Sequence, residues 1–533
     1  MRVVVDLTRC QGYGQCAFLA PDVFTMRGDE ALVYEPHPDD SQRERVLRAA
    51  AACPVQAMVI DEVNGLGRHR RPADGHGRTP PLVENVVIVG ASLAGLRAAA
   101  TLRREGYEGS VTLIGDELGD PYDRPPLSKQ VLTGLADAGE TALPLRRALD
   151  ADWIRGVRAT GLDVAAREVL LDDGRKVGFD RLLIATGARA RPWPDAAQAA
   201  LDGVFVLRTR EDAARLRARL ADRPGRVLVI GAGFTGSEVA SACRELGLPV
   251  TVVERDHAPL AGSLGGVIGA VAAELQREHG VDLRCGVTVT ALEGDDRGRL
   301  VRARLSDGET VEAGVAVVAL GAARNVEWLE GSGLAAGVWG VGCDAGCRAF
   351  DVNGLVTDDI FVAGDVARFP HPLYQYQFLA LEHWGNAVAQ AQVAAHNMIS
   401  AQTGRWAHLS LPVFWSAQFG VNIKSVGVPT FADQVAIVQG SAADRRFVAA
   451  YGYRGRITAA VAFGQAMWLE FYQELIERAA PFPPDFAMVD RPPEIQVLPA
   501  EMPERVSPAQ GATVVVTGHD PDERRAVLVR PRS

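Results

Sequence analysis

The sequence predicts an α/β protein built on two dinucleotide-binding units, preceded by a small cysteine-bearing α+β module. Three observations predict it. An apolar run enters a glycine turn at Gly90, Ser92 and Gly95, followed by a helical stretch and a second strand. The same pattern returns further along the chain at Gly231, Gly233 and Gly236. Three cysteines, Cys10, Cys16 and Cys53, cluster near the start of the chain, ahead of both turns.

Bulk properties bound the reading. A chain of 533 residues with 47% hydrophobic content has room for three or four domains, each with its own core. A net charge of −10 and a pI near 5.6 argue against nucleic acid as a main partner. The opening Met-Arg-Val-Val-Val-Asp reads as a strand, not a secretory signal, and no apolar run is long enough to span a membrane. A soluble, cytoplasmic protein is therefore expected. Seven cysteines in that compartment do not read as a disulfide framework.

Residues 1–62 form the first module. Cys10-Gln-Gly-Tyr13-Gly-Gln-Cys16 is followed, well downstream, by Cys53-Pro54. Bacterial clusters use C-x-x-C-x-x-C with a distant C-P. Here Tyr13 stands at the middle cysteine position. Three thiolates suit a 3Fe-4S cluster, since the fourth iron has no sulfur ligand. A zinc site would want a fourth ligand, and His69 and His76 lie in apparent linker; three buried structural thiols are the other alternative. The arrangement resembles the small ferredoxins that feed bacterial cytochrome P-450 monooxygenases. Its acidic residues Asp22, Asp29, Glu30, Asp39 and Asp40 read first as a solvated face, and second as a docking aid.

Residues 63–84 combine Gly65, Gly67, Gly75 and Gly77 with Pro72, Pro80 and Pro81, and keep no apolar periodicity, which is linker composition. As a flexible coil, such a stretch would span roughly 25 Å on average. It would hold the first module near the rest of the chain at an effective concentration of about millimolar.

The first dinucleotide unit opens with Val86-Val-Ile-Val-Gly90-Ala-Ser92-Leu-Ala-Gly95. A helix N-terminus offers N–H groups and a positive dipole end to a pyrophosphate. Asp116 ends the next strand, at the distance past Gly95 where a carboxylate can bind the adenosine ribose. Ser92 replaces the usual second glycine, and its small side chain still permits close approach. Tyr122-Asp-Arg124-Pro-Pro-Leu-Ser-Lys129 then stiffens a loop with two prolines and aims an arginine and a lysine at one place.

That loop resembles the FAD loop of bacterial ferredoxin reductases of the putidaredoxin-reductase and rubredoxin-reductase type, and the resemblance spans roughly residues 85–480. It implies FAD in the first unit, with Lys129 beside the reactive edge of the isoalloxazine. It implies that the backbone around Ala159 meets the adenine, and that Arg208 of Leu207-Arg-Thr209 contacts the flavin nucleotide.

In the second unit, Val227-Leu-Val-Ile-Gly231-Ala-Gly233-Phe-Thr-Gly236 leads through a helical stretch to a strand ending at Glu254. Two such motifs in one chain favour one FAD and one NAD(P). Glu254 can accept from a ribose 2′-OH and would repel a 2′-phosphate, which favours NADH; Arg255, next to it, is the feature that could favour NADPH instead. The resemblance gives Glu238 as a carboxylate near the flavin that pairs with Lys129. It also expects a proline where Arg324 stands before Asn325.

The chain then returns to the flavin. Ile360-Phe-Val-Ala-Gly364-Asp365 is a strand ending in the Gly-Asp pair that, in flavoproteins of this architecture, binds the ribityl chain. Glu382-His383-Trp384 opens a helical run, with the backbone near Trp384 implied to lie against the isoalloxazine. From Pro412 the segment holding Trp415 resembles the family's α+β interface domain. Cys343 and Cys347 read as inert thiols near the end of the nicotinamide domain. Beyond about 482 the resemblance fades into a proline-rich stretch and two short strands within 511–530. The expected domains are 1–62 (ferredoxin), 63–84 (linker), 85–209 and 331–408 (FAD-binding), 210–330 (NAD-binding) and 409–533 (interface domain with an extra tail).

Together the resemblances imply a reductase fused to its own ferredoxin. It would pass electrons from NADH through FAD to a 3Fe-4S cluster, then to a cytochrome P-450, with a Rieske-type oxygenase as the alternative acceptor. A flavoprotein acting directly on a small substrate and a redox sensor reporting NADH state are the competing readings. No Ser/His/Asp triad, metal-hydrolase spacing or redox-active cysteine pair after the first glycine turn supports another chemistry.

Overall fold

The computed structural model describes residues 3–5, 15–27, 31–35, 38–52, 58–60, 83–143, 149–485, 490, 492, 494–502, 513–517 and 525–529. Cys10, Tyr13 and Cys53 lie outside the described residues, as do Asp29, Glu30 and all of the linker before residue 83.

In the first module, Val3–Val5 pairs antiparallel with Met58–Ile60. A hairpin of Phe24–Arg27 with Ala31–Tyr34 and the helices Gln15–Leu19 and Arg43–Ala52 complete it. Val3, Val5, Val23, Phe24, Val46 and Ala49 form its small core.

The next unit centres on Asn85–Val89. Its four apolar residues are all buried, as expected of a parallel strand covered on both faces. The sheet runs in the order Arg348–Phe350, Val356–Val362, Arg181–Ile184, Asn85–Val89, Ser110–Gly115, Asp152–Arg155. The last five strands are parallel. The chain thus leaves this sheet after Ile184 and re-enters it beside its point of departure. Helix Leu93–Arg104 lies against helix Trp384–Ile399. Alanines 94, 98 and 99 face alanines 387, 391, 394 and 395 in one cluster, and side chains this small let the two backbones approach closely.

Between departure and return sits a second parallel sheet, ordered Val204–Val206, Val315–Val318, Val227–Ile230, Val250–Glu254, Asp282–Cys285. The chain enters and leaves this unit through two short strands paired with each other, Ala188–Ala190 and Ala322–Arg324.

Residues 413–463 supply five antiparallel strands, and Leu498–Pro499 adds a sixth. Helix Leu469–Glu477 covers one face. Helix Ala261–Glu278 of the second unit packs on the other. The two strands expected late in the chain form a hairpin, Thr513–Thr517 with Arg525–Val529. No helix among the described residues is long and apolar enough to cross a membrane.

Candidate functional site: a cavity between three units

Asn85–Val89 ends at Gly90, whose φ of 116° is open to glycine and hostile to other residues. A Cβ on Gly90 would collide with the Ala185 backbone, and one on Gly95 would collide with the Gly90 carbonyl. The turn is therefore tight enough to seat the helix Leu93–Arg104 directly on the strand end. Ser92 occupies the N-cap and makes no side-chain capping hydrogen bond, which leaves the first-turn N–H groups to another acceptor. Gly90, Ser92 and Asp116 line one end of a cavity of about 420 Å³.

Of the other expected site residues, Arg124, Lys129, Arg208, Glu238, Gly364, Asp365 and Trp384 line the same cavity. Arg124 and Lys129 thus meet at one cavity, though each has its own carboxylate partner. Arg124 donates to Glu117 Oε1 at 2.6 Å, to the Tyr122 hydroxyl at 2.8 Å and to the Arg208 carbonyl at 2.9 Å. Burial, and then the neighbouring Glu117, keep the Tyr122 phenol protonated by raising its pKa, so it donates to Glu117 Oε2. Lys129 instead pairs with Glu238 at 2.7 Å, and both side chains are largely buried.

Glu238 comes from the second unit, and its remaining capacity is filled from elsewhere. The Ser128 hydroxyl donates to the same oxygen as Lys129. Ser416, from the C-terminal sheet, donates to Oε1 at 2.6 Å and accepts from Gln418 Nε2 at 2.9 Å. An ionised carboxylate survives burial when its lone pairs are met this completely. Sequence reasoning does not single out Glu117, Ser128 or Ser416. Each stands beside a residue that it does, Asp116, Lys129 and Trp415, but nothing in the sequence marks these three themselves.

Also in the lining, Arg208 pairs with Asp365 at 2.8 Å and donates to the Ala188 carbonyl at 2.9 Å. Gly364 N–H donates to the buried Gln390 at 3.0 Å, which fixes the strand end carrying Asp365. Trp384 donates to Asp123 at 2.8 Å and meets Trp415 edge to face, with centroids 6.3 Å apart. His383, also in the lining, is held neutral: burial pushes it down to about 4.

Some expected positions fall elsewhere. Gly95 sits beneath the turn rather than in the lining. Ala159 is packed in the core, and none of residues 157–160 lines the cavity. Cys343 and Cys347 belong to the segment that returns to the first sheet, not to the nicotinamide unit; both are fully buried, and burial raises their thiols well above the usual range. Arg324, in place of proline, pairs with Glu382 at 2.6 Å and so ties the exit strand to the segment that precedes Trp384.

The second glycine turn repeats the first. A Cβ on Gly236 would collide with the Gly231 carbonyl, whereas Gly233 has nothing within 4 Å and leaves the start of helix Phe234–Glu245 open. Glu254 accepts from Ala232 N–H at 2.6 Å and Asp256 N–H at 2.8 Å, which fixes its carboxylate beside the turn. Arg255 is 80% exposed.

These features fit a flavin dinucleotide in the cavity. There is a glycine-lined helix start for the pyrophosphate, Asp116 for the ribose, and charged pairs, Lys129–Glu238 and Arg208–Asp365, in the same lining. The volume lies in the range of about 300–1,000 Å³ typical of ligand sites. For a cluster, Cys16 is the expected ligand that falls among the described residues, half-buried on helix Gln15–Leu19.

Comparisons with known proteins divide the chain in three. Residues 84–391 match the pyridine nucleotide-disulphide oxidoreductase profile, 413–495 the reductase C-terminal profile, and 3–60 a 4Fe-4S single cluster domain. The chain is 38% identical over 351 residues to the ferredoxin–NAD(+) reductase component of the p-cumate 2,3-dioxygenase system of Pseudomonas putida, covering 65% of this chain and 81% of that protein. It is 32% identical over 417 residues to putidaredoxin reductase of Pseudomonas putida, covering 75% and 94%. Among solved structures, the covalent putidaredoxin reductase–putidaredoxin complex aligns with a TM-score of 0.69 at 31% identity, covering 75% of this chain and 94% of that one.

Proposed function

Because the chain belongs to the pyridine nucleotide-disulphide oxidoreductase family and carries a cluster domain ahead of it, we propose that it is an NADH-dependent ferredoxin reductase joined to its own ferredoxin. The observation that carries this reading is the Lys129–Glu238 pair. It joins the first glycine-turn unit to the second at the wall of one cavity, where a nicotinamide from one unit must meet a ring system held by the other.

When bound, the nicotinamide supplies a hydride and the flavin divides its two electrons for a carrier that takes one at a time. The chain contributes juxtaposition and charge. Lys129 would place a cation beside the flavin to favour its reduced, anionic form, and Glu238 holds that cation in place. Arg208 and Asp365 neutralise each other beside the Gly364 turn. Gly90, Ser92 and Asp116 would hold the pyrophosphate and ribose of FAD; Gly233, Gly236 and Glu254 would hold NADH. Glu254 already faces the turn, while Arg255 points to solvent, which supports NADH over NADPH.

In the first module Cys10, Cys16 and Cys53 would hold the cluster. Tyr13 in place of a fourth cysteine supports a 3Fe-4S cluster rather than 4Fe-4S. That ferredoxin type favours a cytochrome P-450 as acceptor. A Rieske-type oxygenase is the second reading, favoured because several similar reductases belong to dioxygenase systems.

The test compares two activities. Cys10→Ser or Cys53→Ser should lower NADH–cytochrome c reduction at least tenfold and leave NADH–ferricyanide reduction intact. Equal survival of both would sink the relay. An electron paramagnetic resonance signal near g = 2 in the protein as isolated identifies three irons, and reconstitution with each oxygenase class identifies the acceptor.

A further inference from the structure

The segment after 482 carries a contact that neither glycine motif accounts for. Leu498 and Pro499 pair with Val435 and Gln434 at the edge of the C-terminal sheet. Ala500, buried, donates its N–H to the Asp433 carbonyl at 3.0 Å. The other side of this short segment meets helix Ala261–Glu278 of the nicotinamide unit. Gly266 N–H donates to the Glu501 carbonyl at 3.1 Å.

The helix is shaped to receive it. Its backbone breaks at Gly265, with φ 77° and ψ 167°. A Cβ on Gly265 would collide with the Ala500 carbonyl oxygen. One on Gly266 would collide with the Glu501 carboxylate and the His257 ring. Two consecutive glycines near the start of an 18-residue helix are costly to helix stability, and here both make room for the same short segment.

The contact continues toward the cavity. Leu260, Leu264, Ile268, Ala500 and Phe414 share one core cluster, with Phe234 and Met502 packed on it. Leu260 N–H donates to the Ala232 carbonyl at 3.0 Å, inside the second glycine turn. Phe234, which follows Gly233, meets Phe414 with centroids 4.6 Å apart, and both rings line the cavity. The matched C-terminal profile stops at residue 495, before this segment begins.

We propose that residues 498–502 form a positioning strap, which clamps helix Ala261–Glu278 to the C-terminal sheet and thereby sets how the second glycine turn faces the cavity. The inference rests on the reading of that turn as the NADH site. A strap acting on placement changes the reaction between bound partners more than it changes NADH binding, since the groups proposed to grip NADH lie within one unit.

The test uses the full chain with Gly265→Ala, Ala500→Trp and the double variant. Hydrogen exchange over residues 261–278 should rise in each, reporting release. The rate at which saturating NADH bleaches the flavin should fall about tenfold, because a misplacement of about 1 Å can cost up to about 100-fold. Half-saturation by NADH should move less than twofold, with flavin content unchanged. The double variant should be no slower than the slower single one, because both remove the same contact. Faster exchange with an unchanged bleaching rate would make the segment a stabiliser only and overturn the proposal, as would unchanged exchange. If Ala500→Trp yields no folded flavoprotein, Met502→Ala carries the same comparison. Failure of NADH to bleach the parent protein would instead overturn the NADH reading.

Discussion

Glu238 is a buried carboxylate whose donors come from two other parts of the chain, 110 and 178 residues away for the two serines. With FAD bound as proposed, its charge and that of Lys129 would act on the flavin edge with opposite signs. Glu238→Gln removes a negative charge and should raise the two-electron midpoint potential of bound FAD. Lys129→Met should lower it. A unit charge at about 4 Å is worth about 4 kcal/mol at an effective dielectric of about 20, so shifts of tens of millivolts are expected in spectroelectrochemical titration. Ser416→Ala strips one donor from the same carboxylate and should cost about 1–3 kcal/mol in denaturant unfolding. Glu254→Ser removes the group that repels a 2′-phosphate; the ratio of kcat/KM for NADH over NADPH should fall by at least about tenfold. Two buried histidines set an acid limit. Burial pushes His383 down to about 4 and His408 to about 3, from an ordinary 6.5. The folded state keeps both neutral while the unfolded chain takes up protons below about pH 6.5, so stability is lost as pH falls from there toward 4. The drop in thermal midpoint between pH 7 and pH 5 should be smaller in His408→Gln, which keeps a hydrogen-bonding side chain near Asn386.

At the scale of elements, the two glycine turns make matched predictions. Gly95→Ala drives a methyl into the Gly90 carbonyl and should yield protein with depleted flavin, read from the absorbance ratio at 450 and 280 nm. Gly236→Ala makes the same intrusion against Gly231 and should leave flavin in place while NADH–ferricyanide activity falls. These turns are legible in the sequence because the constraint is local: an apolar strand, a forced backbone angle and a carboxylate at the end of the next strand lie within about 30 residues. The C-terminal sheet is recognisable only by resemblance. Nothing in Phe414-Trp-Ser416 says that the serine reaches a glutamate in another unit. Ala159 shows the converse. Position in a familiar motif implies a backbone contact with the ligand, and the side chain of Ala159, packed in the core, carries no sign of it. Arg324 is visible as a departure from the family's proline; its partner Glu382, 58 residues on, is not.

At the scale of the whole molecule, one chain carries both parts: the oxidoreductase profile matches residues 84–391 and the cluster-domain profile precedes it at 3–60. Tethering would raise the local concentration of the carrier to about millimolar. Cleavage within the linker, for instance at an engineered protease site, should therefore make NADH–cytochrome c reduction dependent on protein concentration, while NADH–ferricyanide reduction stays proportional to enzyme.

The strand pair at 188–190 and 322–324 has a consequence for how such a molecule can arise and be rebuilt. Both ends of the nicotinamide unit emerge side by side, so the whole unit hangs from the flavin sheet like a cassette on two adjacent pins. In chain topology it can be swapped for a unit with a different coenzyme preference without rethreading the strands beneath, provided the new unit covers the apolar faces this one buries. Grafting would have to carry across what reaches outside the cassette, including Glu238 toward Lys129, Phe234 toward Phe414, Glu274 and Glu278 toward Arg445, and Gly265 and Gly266 toward the segment that seats on them.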